Sequence, residues 1–413
     1  MDNDNLNKLR QNWYGASILI LGFGREGKDT LKFLKKVFPQ KTISVADAKL
    51  DKNYLKTIDN YDVVIKSPGV PIHLPEVEKA YKRSKVTSQT EIFLENCPGK
   101  IIGVTGTKGK STTSFWIYQI LKRAGFGVKL VGNIGKPALS HLLGAKPRDI
   151  FVYEMSSHQL YGLKSSPHVA VLLNIYPEHL DYYQTLKEYT LAKANITKFQ
   201  KKTDYFIYNS LSETCRKIAK GSFAQKIPIR GRYYELNKAA AIAAALIFGA
   251  RGCIKFKTLP HRLEFVGELG KIRFYNDSLS TIPQAATLAL EHLGPDVETV
   301  ILGGFYRGQE FGNLAKKILS SKIKSVILFP TSGEKIWQAI LKYQRNPSAV
   351  NHFFVNNMAD AVKLAYEHTG ANKICLLSPA SPSFGIFKDY RERGNLFKKY
   401  VKLYGKKISS SSP

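Results

Sequence analysis

Acidic residues are scarce in this chain: 32 Asp and Glu stand against 62 Lys and Arg, leaving a formal charge of +30 over 413 residues. A surface like that suits a nucleic-acid binder, because lysines that neutralise phosphates release counterions. The usual elements of such a binder are missing, however. The basic residues are scattered, with short clusters at Lys35-Lys36, Lys201-Lys202 and Lys398-Lys399, and there is neither an arginine-rich arm nor a zinc-finger spacing. Net charge bears on solubility and steering rather than fold, so an enzyme of polyanionic ligands is expected and a nucleic-acid partner is not.

Cysteine is rare as well. Cys97, Cys215, Cys253 and Cys375 include no CxxC pair, so neither a disulfide framework nor a zinc site is expected. Residues 1–5 lack the cationic-then-apolar layout of a signal peptide. The most apolar helix candidate, residues 239–249, is too short to cross a bilayer. The expectation is a protein of the reducing cytoplasm with no membrane partner. No internal repeat of solenoid length is present.

What is present is an ordinary 44% of apolar residues on a chain too long for one core, which predicts two or three domains. Short apolar runs alternate with amphipathic stretches, the pattern of parallel sheets covered by helices. Strands are expected at 17–21, 42–46 and 62–66, with a helix over 27–37. Cys97-Pro98-Gly99-Lys100 resembles a linker. Beyond it come a strand at 101–104, a helix over 110–124, and strands at 150–153 and 169–174. A third unit opens near Leu259-Pro260, with strands at 300–302, 325–329 and 373–378. The predicted fold is therefore α/β in three domains: a Rossmann-like domain over 1–97, a central P-loop domain over 98–258 and a Rossmann-like C-terminal domain over 259–413.

The sharpest local signal is Gly103-Val104-Thr105-Gly106-Thr107-Lys108-Gly109-Lys110-Ser111-Thr112. A strand enters a glycine turn and a helix follows at once. Backbone N–H groups of such a turn, with the positive end of the helix, cradle phosphate oxygens. Lys110 would reach the β- and γ-phosphates, and Ser111 or Thr112 would coordinate Mg²⁺. The first glycine of the general G-x4-G-K pattern is absent. Three later segments suit a metal–phosphate site: Tyr153-Glu154-Met155-Ser156-Ser157, Asn174 through Glu178-His179 to Asp181, and Tyr189 through Lys193. Taken singly, His179 reads as structural and Lys193 as a solvated helix charge. Upstream, Gly22-Phe23-Gly24-Arg25-Glu26-Gly27 follows a strand and opens a helix, with Asp47 about 20 residues further on. Alone that fingerprint reads as NAD binding, and the same turn serves other diphosphates.

In order and in type, these segments resemble the ATPase domain of the Mur ligases. Leu259-Pro260-His261-Arg262-Leu263-Glu264, Asn276-Asp277-Ser278, Leu377-Ser378-Pro379-Ala380-Ser381 and Arg393-Gly394-Asn395 carry the likeness from about residue 15 to 404. They are similar to members of that family that add D-glutamate to UDP-N-acetylmuramoyl-L-alanine. The resemblance implies an ATP-dependent amide ligase working through an acyl-phosphate, with UDP-N-acetylmuramoyl-L-alanine and glutamate as substrates; a monomer is the working expectation. It implies ATP, two Mg²⁺ ions and a carbamate on Lys193. Lys110, Lys193, His179 and Glu154 would be catalytic, and Ser111, Glu154, His179 and Lys193 would hold metal. Thr107, Gly109, Lys110, Ser111, Thr112, Asn237, Arg262 and Asp277 would bind the nucleotide. Gly22, Gly24, Asp47 and Ser67 would take the UDP moiety, as the family's first domain does, and Asn133 would face the reacting carboxylate. Thr281, Arg307, Ser383 and Tyr390 or Phe387 would line the amino-acid pocket.

The sequence departs from that pattern at four positions. Leu279 and Arg307 stand where lysines are usual, Tyr234 replaces an adenine-side asparagine, and Lys108 occupies a loop position often held by Asn. Arg307 can still clamp a carboxylate bidentately. Leu279 cannot form an ion pair, which leaves the choice between D-glutamate, L-glutamate and another amino acid open.

Overall fold

The computed structural model describes residues 4–83, 85–231, 234–251, 256, 259–344 and 350–410. Three sheets organise them. The first joins β1 (Ile18–Leu21), β2 (Ile43–Ala46), β3 (Val63–Lys66) and β4 (Val86–Thr87) in the order β2-β1-β3-β4, all parallel. The second holds β5 (Lys100–Thr105), β6 (Val128–Gly132), β7 (Ile150–Glu154), β8 (Val169–Leu172), β9 (Tyr205–Asn209) and β10 (Gln225–Ile229). Its order is β10-β9-β8-β5-β7-β6, again parallel. The third holds β11 (Glu264–Leu269), β12 (Ile272–Asn276), β13 (Val297–Gly303), β14 (Ser325–Phe329), β15 (Asn351–Phe354) and β16 (Ile374–Leu377). Its order is β11-β12-β16-β13-β14-β15, antiparallel only between β11 and β12.

Central strands carry helices on both faces, so they are mostly apolar: β7, β8, β13, β14 and β16 are buried at every residue, polar Glu154, Glu298, Thr299 and Ser325 included. These are the runs that periodicity finds. Edge strands are different. β10 reads Gln-Lys-Ile-Pro-Ile and exposes most of its residues, and Pro228 is tolerated because an edge leaves one row of amides unpaired. The helix expected over 110–124 runs Lys110–Arg123, and the apolar segment near 239–249 belongs to the helix Tyr234–Leu246.

The chain divides into two compact units, Met1–Phe256 and Lys257–Pro413. The first unit contains two sheets because one apolar core joins them. Phe33, Phe93 and Cys97 from the amino-terminal side pack with Phe151, Tyr153 and Leu160 from the central side. Phe93 sits edge-on to both Phe151 and Tyr153, at ring separations of 5.2 and 5.7 Å. The expected linker at Cys97 therefore lies within shared core. The expected break at 258 falls outside the described residues. Cys97, Cys215 and Cys375 are free and buried, and Cys253 is outside the described residues. Among the described residues no helix is long and apolar enough to cross a membrane.

Candidate active site

In the second sheet β5 lies between β7 and β8, so the chain leaves it in one direction and returns on the other side. Ligands of open α/β sheets bind at such a switch point, outside the carboxyl ends of the strands. The glycine loop emerges there. Gly106 (φ +149°) and Gly109 (φ +89°) take backbone conformations that L side chains avoid, and a Cβ on Gly109 would lie 2.2 Å from Asn237 Oδ1. Asn237 is thereby placed against the loop. Lys110 opens the helix Lys110–Arg123, and its Nζ donates to the carbonyls of Gly106 and Thr107 at 2.9 and 3.0 Å. Thr112 is buried one turn in.

The downstream segments close around this loop. Thr107 Oγ1 accepts the Tyr176 N–H at 2.9 Å and lies 3.0 Å from the Tyr189 hydroxyl. The Asn174 side chain grips Lys108 by accepting its N–H at 2.8 Å and donating to its carbonyl at 3.0 Å. Ser111 Oγ donates to Glu154 Oε1 at 2.9 Å, while Glu154 Oε2 is buried with no hydrogen-bond partner among the described residues. Lys193, on the helix Leu186–Lys198, is only 1% exposed. Its Nζ donates to Gly106 O at 3.0 Å and sits 4.8 Å over the Tyr189 ring. His179 holds a left-handed backbone (φ 59°), with Nε2 3.9 Å from Glu178 Oε2.

Burial and the neighbouring Lys110 ammonium push Lys193 well below the ordinary lysine range, against the pull of Glu178 and Glu154. Burial alone would raise Glu178, but the ammonium groups of Lys108 and Lys110 draw it down to about 2. His179 is lowered, chiefly by burial. His158, packed 4.8 Å from the His179 ring, is pushed down to about 3 by burial and by that neighbour. The site thus keeps Glu178 charged and its two imidazoles neutral, and it draws one buried amine toward its uncharged form.

The amino-terminal glycine turn lines a cavity of about 660 Å³. Gly22, Gly24, Asp47 and Ser67 all border it, and so does Asn133 from the central sheet. Ser67 Oγ donates to Gly22 O at 2.7 Å, and Asp47 Oδ2 accepts the Phe23 N–H at 2.5 Å. Both side chains therefore brace the turn from the strand ends. Arg25 reaches across to the carbonyls of Asn133 and Gly135. The Asn133 N–H donates to Glu154 O at 3.2 Å, which joins the cavity wall to the strand that carries Glu154.

In the second unit the remaining candidates gather at the carboxyl ends of β12, β13 and β16. Asp277 follows β12, and its carboxylate accepts the Leu263 N–H at 3.1 Å and the Ser378 hydroxyl at 3.0 Å. Arg262 precedes β11, its N–H donating to Leu259 O at 3.2 Å. Ser383 and Phe387 are buried, and Tyr390 opens the helix Tyr390–Ser410. Thr281 lies in the turn before the helix Pro283–Leu293. Arg307, after β13, is exposed and places its guanidinium 5.9 and 5.3 Å from the Phe305 and Phe384 rings. Arg393, fully buried, ties these loops together by donating to Ser278 O at 2.8 Å and Ser381 O at 3.1 Å.

Sequence reasoning missed two buried groups beside the cavity. Glu26 accepts a 2.6 Å hydrogen bond from Gln159, and burial pushes its carboxyl up to about 7. Lys66 donates to Val70 O at 2.9 Å and to the Tyr182 hydroxyl at 3.3 Å, and burial pushes it down to about 8. A lysine closing a four-residue apolar strand was the available signal for the second; Glu26 offered none.

Comparison with known proteins adds relatives to this geometry. Residues 104–265 match the family model described as the Mur ligase middle domain. The chain is 31% identical to the UDP-N-acetylmuramoylalanine--D-glutamate ligase of Clostridium tetani, over 97% of this chain and 99% of that protein. It is 30% identical to the protein of the same name from Acetivibrio thermocellus, with the same coverage of 97% and 99%. Among solved structures, the MurF ligase of Thermotoga maritima in complex with ADP superposes with a TM-score of 0.58 at 18% identity, covering 85% of this chain and 92% of that one.

Proposed function

The chain belongs to the Mur ligase family, and we propose that it is the ATP-dependent ligase that joins D-glutamate to UDP-N-acetylmuramoyl-L-alanine in peptidoglycan precursor synthesis. The observation that carries this reading is the hydrogen bond from Asn133 N–H to Glu154 O, which sets the substrate cavity and the phosphate loop on one frame. A sugar nucleotide lying in the cavity would present its far carboxylate to the nucleotide held by the loop.

Each part then has a task. Gly22, Gly24, Asp47 and Ser67 form the seat for the UDP moiety. Thr107, Gly109, Lys110, Ser111 and Thr112 hold the ATP phosphates, with Asn237 against the loop; for Arg262 and Asp277 a nucleotide-binding role rests on the family resemblance alone. An oxygen of the L-alanine carboxylate attacks the γ-phosphorus and ADP leaves, giving an acyl-phosphate. The amine of glutamate attacks the acyl carbon, loses a proton, and inorganic phosphate departs as the amide forms. Two Mg²⁺ ions would supply charge neutralisation for the crowded phosphate oxygens. Ser111 Oγ with the unpartnered Glu154 Oε2 offers the hard oxygen donors such an ion takes, and His179 with Lys193 would hold the other.

A carbamate on Lys193 fits its surroundings. Burial lowers the pKa of this amine, which favours the lone pair that adds to carbon dioxide, and the product is an anion near the ammonium groups of Lys110 and Lys108. Thr281, Arg307, Ser383 and Phe387 or Tyr390 are proposed for glutamate, with Arg307 on a carboxylate. The enzyme would work as a monomer in the cytoplasm, where its precursors are made.

The test is ligation of UDP-N-acetylmuramoyl-L-alanine with ATP, Mg²⁺ and D- or L-glutamate, following phosphate release and product mass together. D-glutamate-dependent product with stoichiometric phosphate is expected. Product only with L-glutamate would overturn the stereochemical assignment, and ATP turnover without either product would overturn the substrate.

A further inference from the structure

Two lysines leave the phosphate loop, and the structure holds them differently. Lys110 Nζ folds back onto the loop's own carbonyls at Gly106 and Thr107. Lys108 Nζ instead reaches Glu178 Oε1 at 2.9 Å, with the two side chains 20% and 15% exposed. The main chain of Lys108 is fixed on both sides by the Asn174 amide, so its backbone stays anchored whichever partner its ammonium takes. Its peptide sits between Thr107 and Gly109, in the stretch of backbone that faces phosphate oxygens in a strand–loop–helix nest. A lysine there is within the same reach of a polyphosphate as of Glu178.

We propose that Lys108 is a second phosphate-binding lysine of this loop, held on Glu178 while no nucleotide is bound and transferred to the terminal phosphates of a nucleoside triphosphate when one arrives. This rests on reading the loop as the nucleotide site. The exchange is one of charge partners. A single carboxylate gives up an ammonium to a polyphosphate with more negative charge and more acceptor oxygens, which binds it more strongly. Glu178 is left with His179, whose Nε2 lies 3.9 Å from its Oε2. A loop with Asn at this position has no such ammonium to deliver, so the arrangement is a feature of this chain's own sequence.

The two partners predict opposite effects on affinity, which a mere structural brace would not. ATP and AMP binding would be measured by titration calorimetry in Mg²⁺ for the wild type, Lys108→Asn and Glu178→Gln, with melting curves confirming that each variant folds. Lys108→Asn is expected to weaken ATP roughly tenfold, the worth of one charge-assisted hydrogen bond, and to leave AMP unchanged. Glu178→Gln is expected to tighten ATP, because the internal anion that competes for Lys108 is gone. Weakening of ATP and AMP alike by both variants would reduce the pair to a brace and overturn the proposal. Unchanged ATP affinity in Lys108→Asn, in a protein that binds ATP, would overturn it alone; a wild type that binds no ATP would overturn the reading of the loop as well.

Discussion

Ser111 Oγ hydrogen-bonds one carboxylate oxygen of Glu154 at 2.9 Å, and the other oxygen is buried with no hydrogen-bond partner among the described residues. A buried carboxylate half left open is costly unless something fills it, and a cation is the natural complement. Glu154→Gln keeps the shape and removes the charge. The expected result is a fall in kcat on the order of 10²-fold, as when one preorganised electrostatic contact is lost, with metal-free nucleotide binding retained. Phosphate-release kinetics beside calorimetry read both. Wild-type turnover in the variant would remove Glu154 from the metal site.

Lys193 makes a separate prediction about stability. Its folded pKa lies well below the ordinary lysine value of about 10.4. Between those values the unfolded chain carries a proton that the folded chain lacks, so this group makes stability rise with pH across that window; the penalty is fully present only below the folded pKa. Lys193→Met removes the penalty. In bicarbonate-free buffer it is expected to raise urea resistance at neutral pH, with the gain shrinking as pH approaches 10. Ligation would be lost in the same variant, and short carboxylic acids are expected to restore part of it in Lys193→Ala. A gain independent of pH would mean that packing, not charge, governs the site.

Gly24 and Gly27 share one turn but predict different losses. A Cβ on Gly27 would lie 2.2 Å from the Gly22 carbonyl, whereas one on Gly24 meets nothing within 4 Å and would stand at the cavity. Gly27→Ala is therefore expected to cost about 1–3 kcal/mol of stability, the range for forced overpacking. Gly24→Ala should change stability by no more than about 0.5 kcal/mol and instead raise KM for the UDP-linked substrate, since it blocks close approach of a diphosphate to the backbone. Chemical denaturation and steady-state kinetics on both variants separate the two. An unchanged KM in Gly24→Ala would move the diphosphate away from this turn.

These pairs also mark what a single sequence can disclose. The glycine turns, the β5–loop–helix unit and the buried central strands are local patterns whose residue types follow from backbone geometry, so they were readable in order. β14 was read residue for residue because a fully buried strand has no alternative composition. Edge strands such as β10 mix lysine, glutamine and proline and lose the signal. Lys193 looks like a solvated charge in sequence, and Lys66 only like the last residue of a strand; tertiary packing buries them, under Tyr189 in one case and beside Tyr182 in the other. The Lys108–Glu178 pair spans 70 positions and joins a loop to the stretch after β8, a contact that no spacing rule anticipates. Burial of charge is a property of the assembled fold, and the candidate site depends on it more than on any motif.

Arg307 is the residue proposed to bind a carboxylate of the incoming amino acid. Its guanidinium is held near the Phe305 and Phe384 rings, an arrangement that orients the flat fork while leaving its N–H groups for a carboxylate. Leu279 contributes no charge, so the proposed recognition of a carboxylate falls to Arg307. Arg307→Ala is expected to raise KM for glutamate roughly 10- to 100-fold, in line with about 1.5–3 kcal/mol for a hydrogen bond to a charged group, while KM for ATP stays put. Arg307→Lys should recover only part, because a point charge lacks the bidentate geometry. Phe384→Ala should raise KM less than removing the arginine, since it loosens the guanidinium without deleting it. Comparing D- with L-glutamate in each variant reads stereochemistry in the same assay: discrimination that survives Arg307→Ala places enantiomer choice on Thr281, Ser383 and the Phe387–Tyr390 side, and discrimination that collapses places it on Arg307 itself.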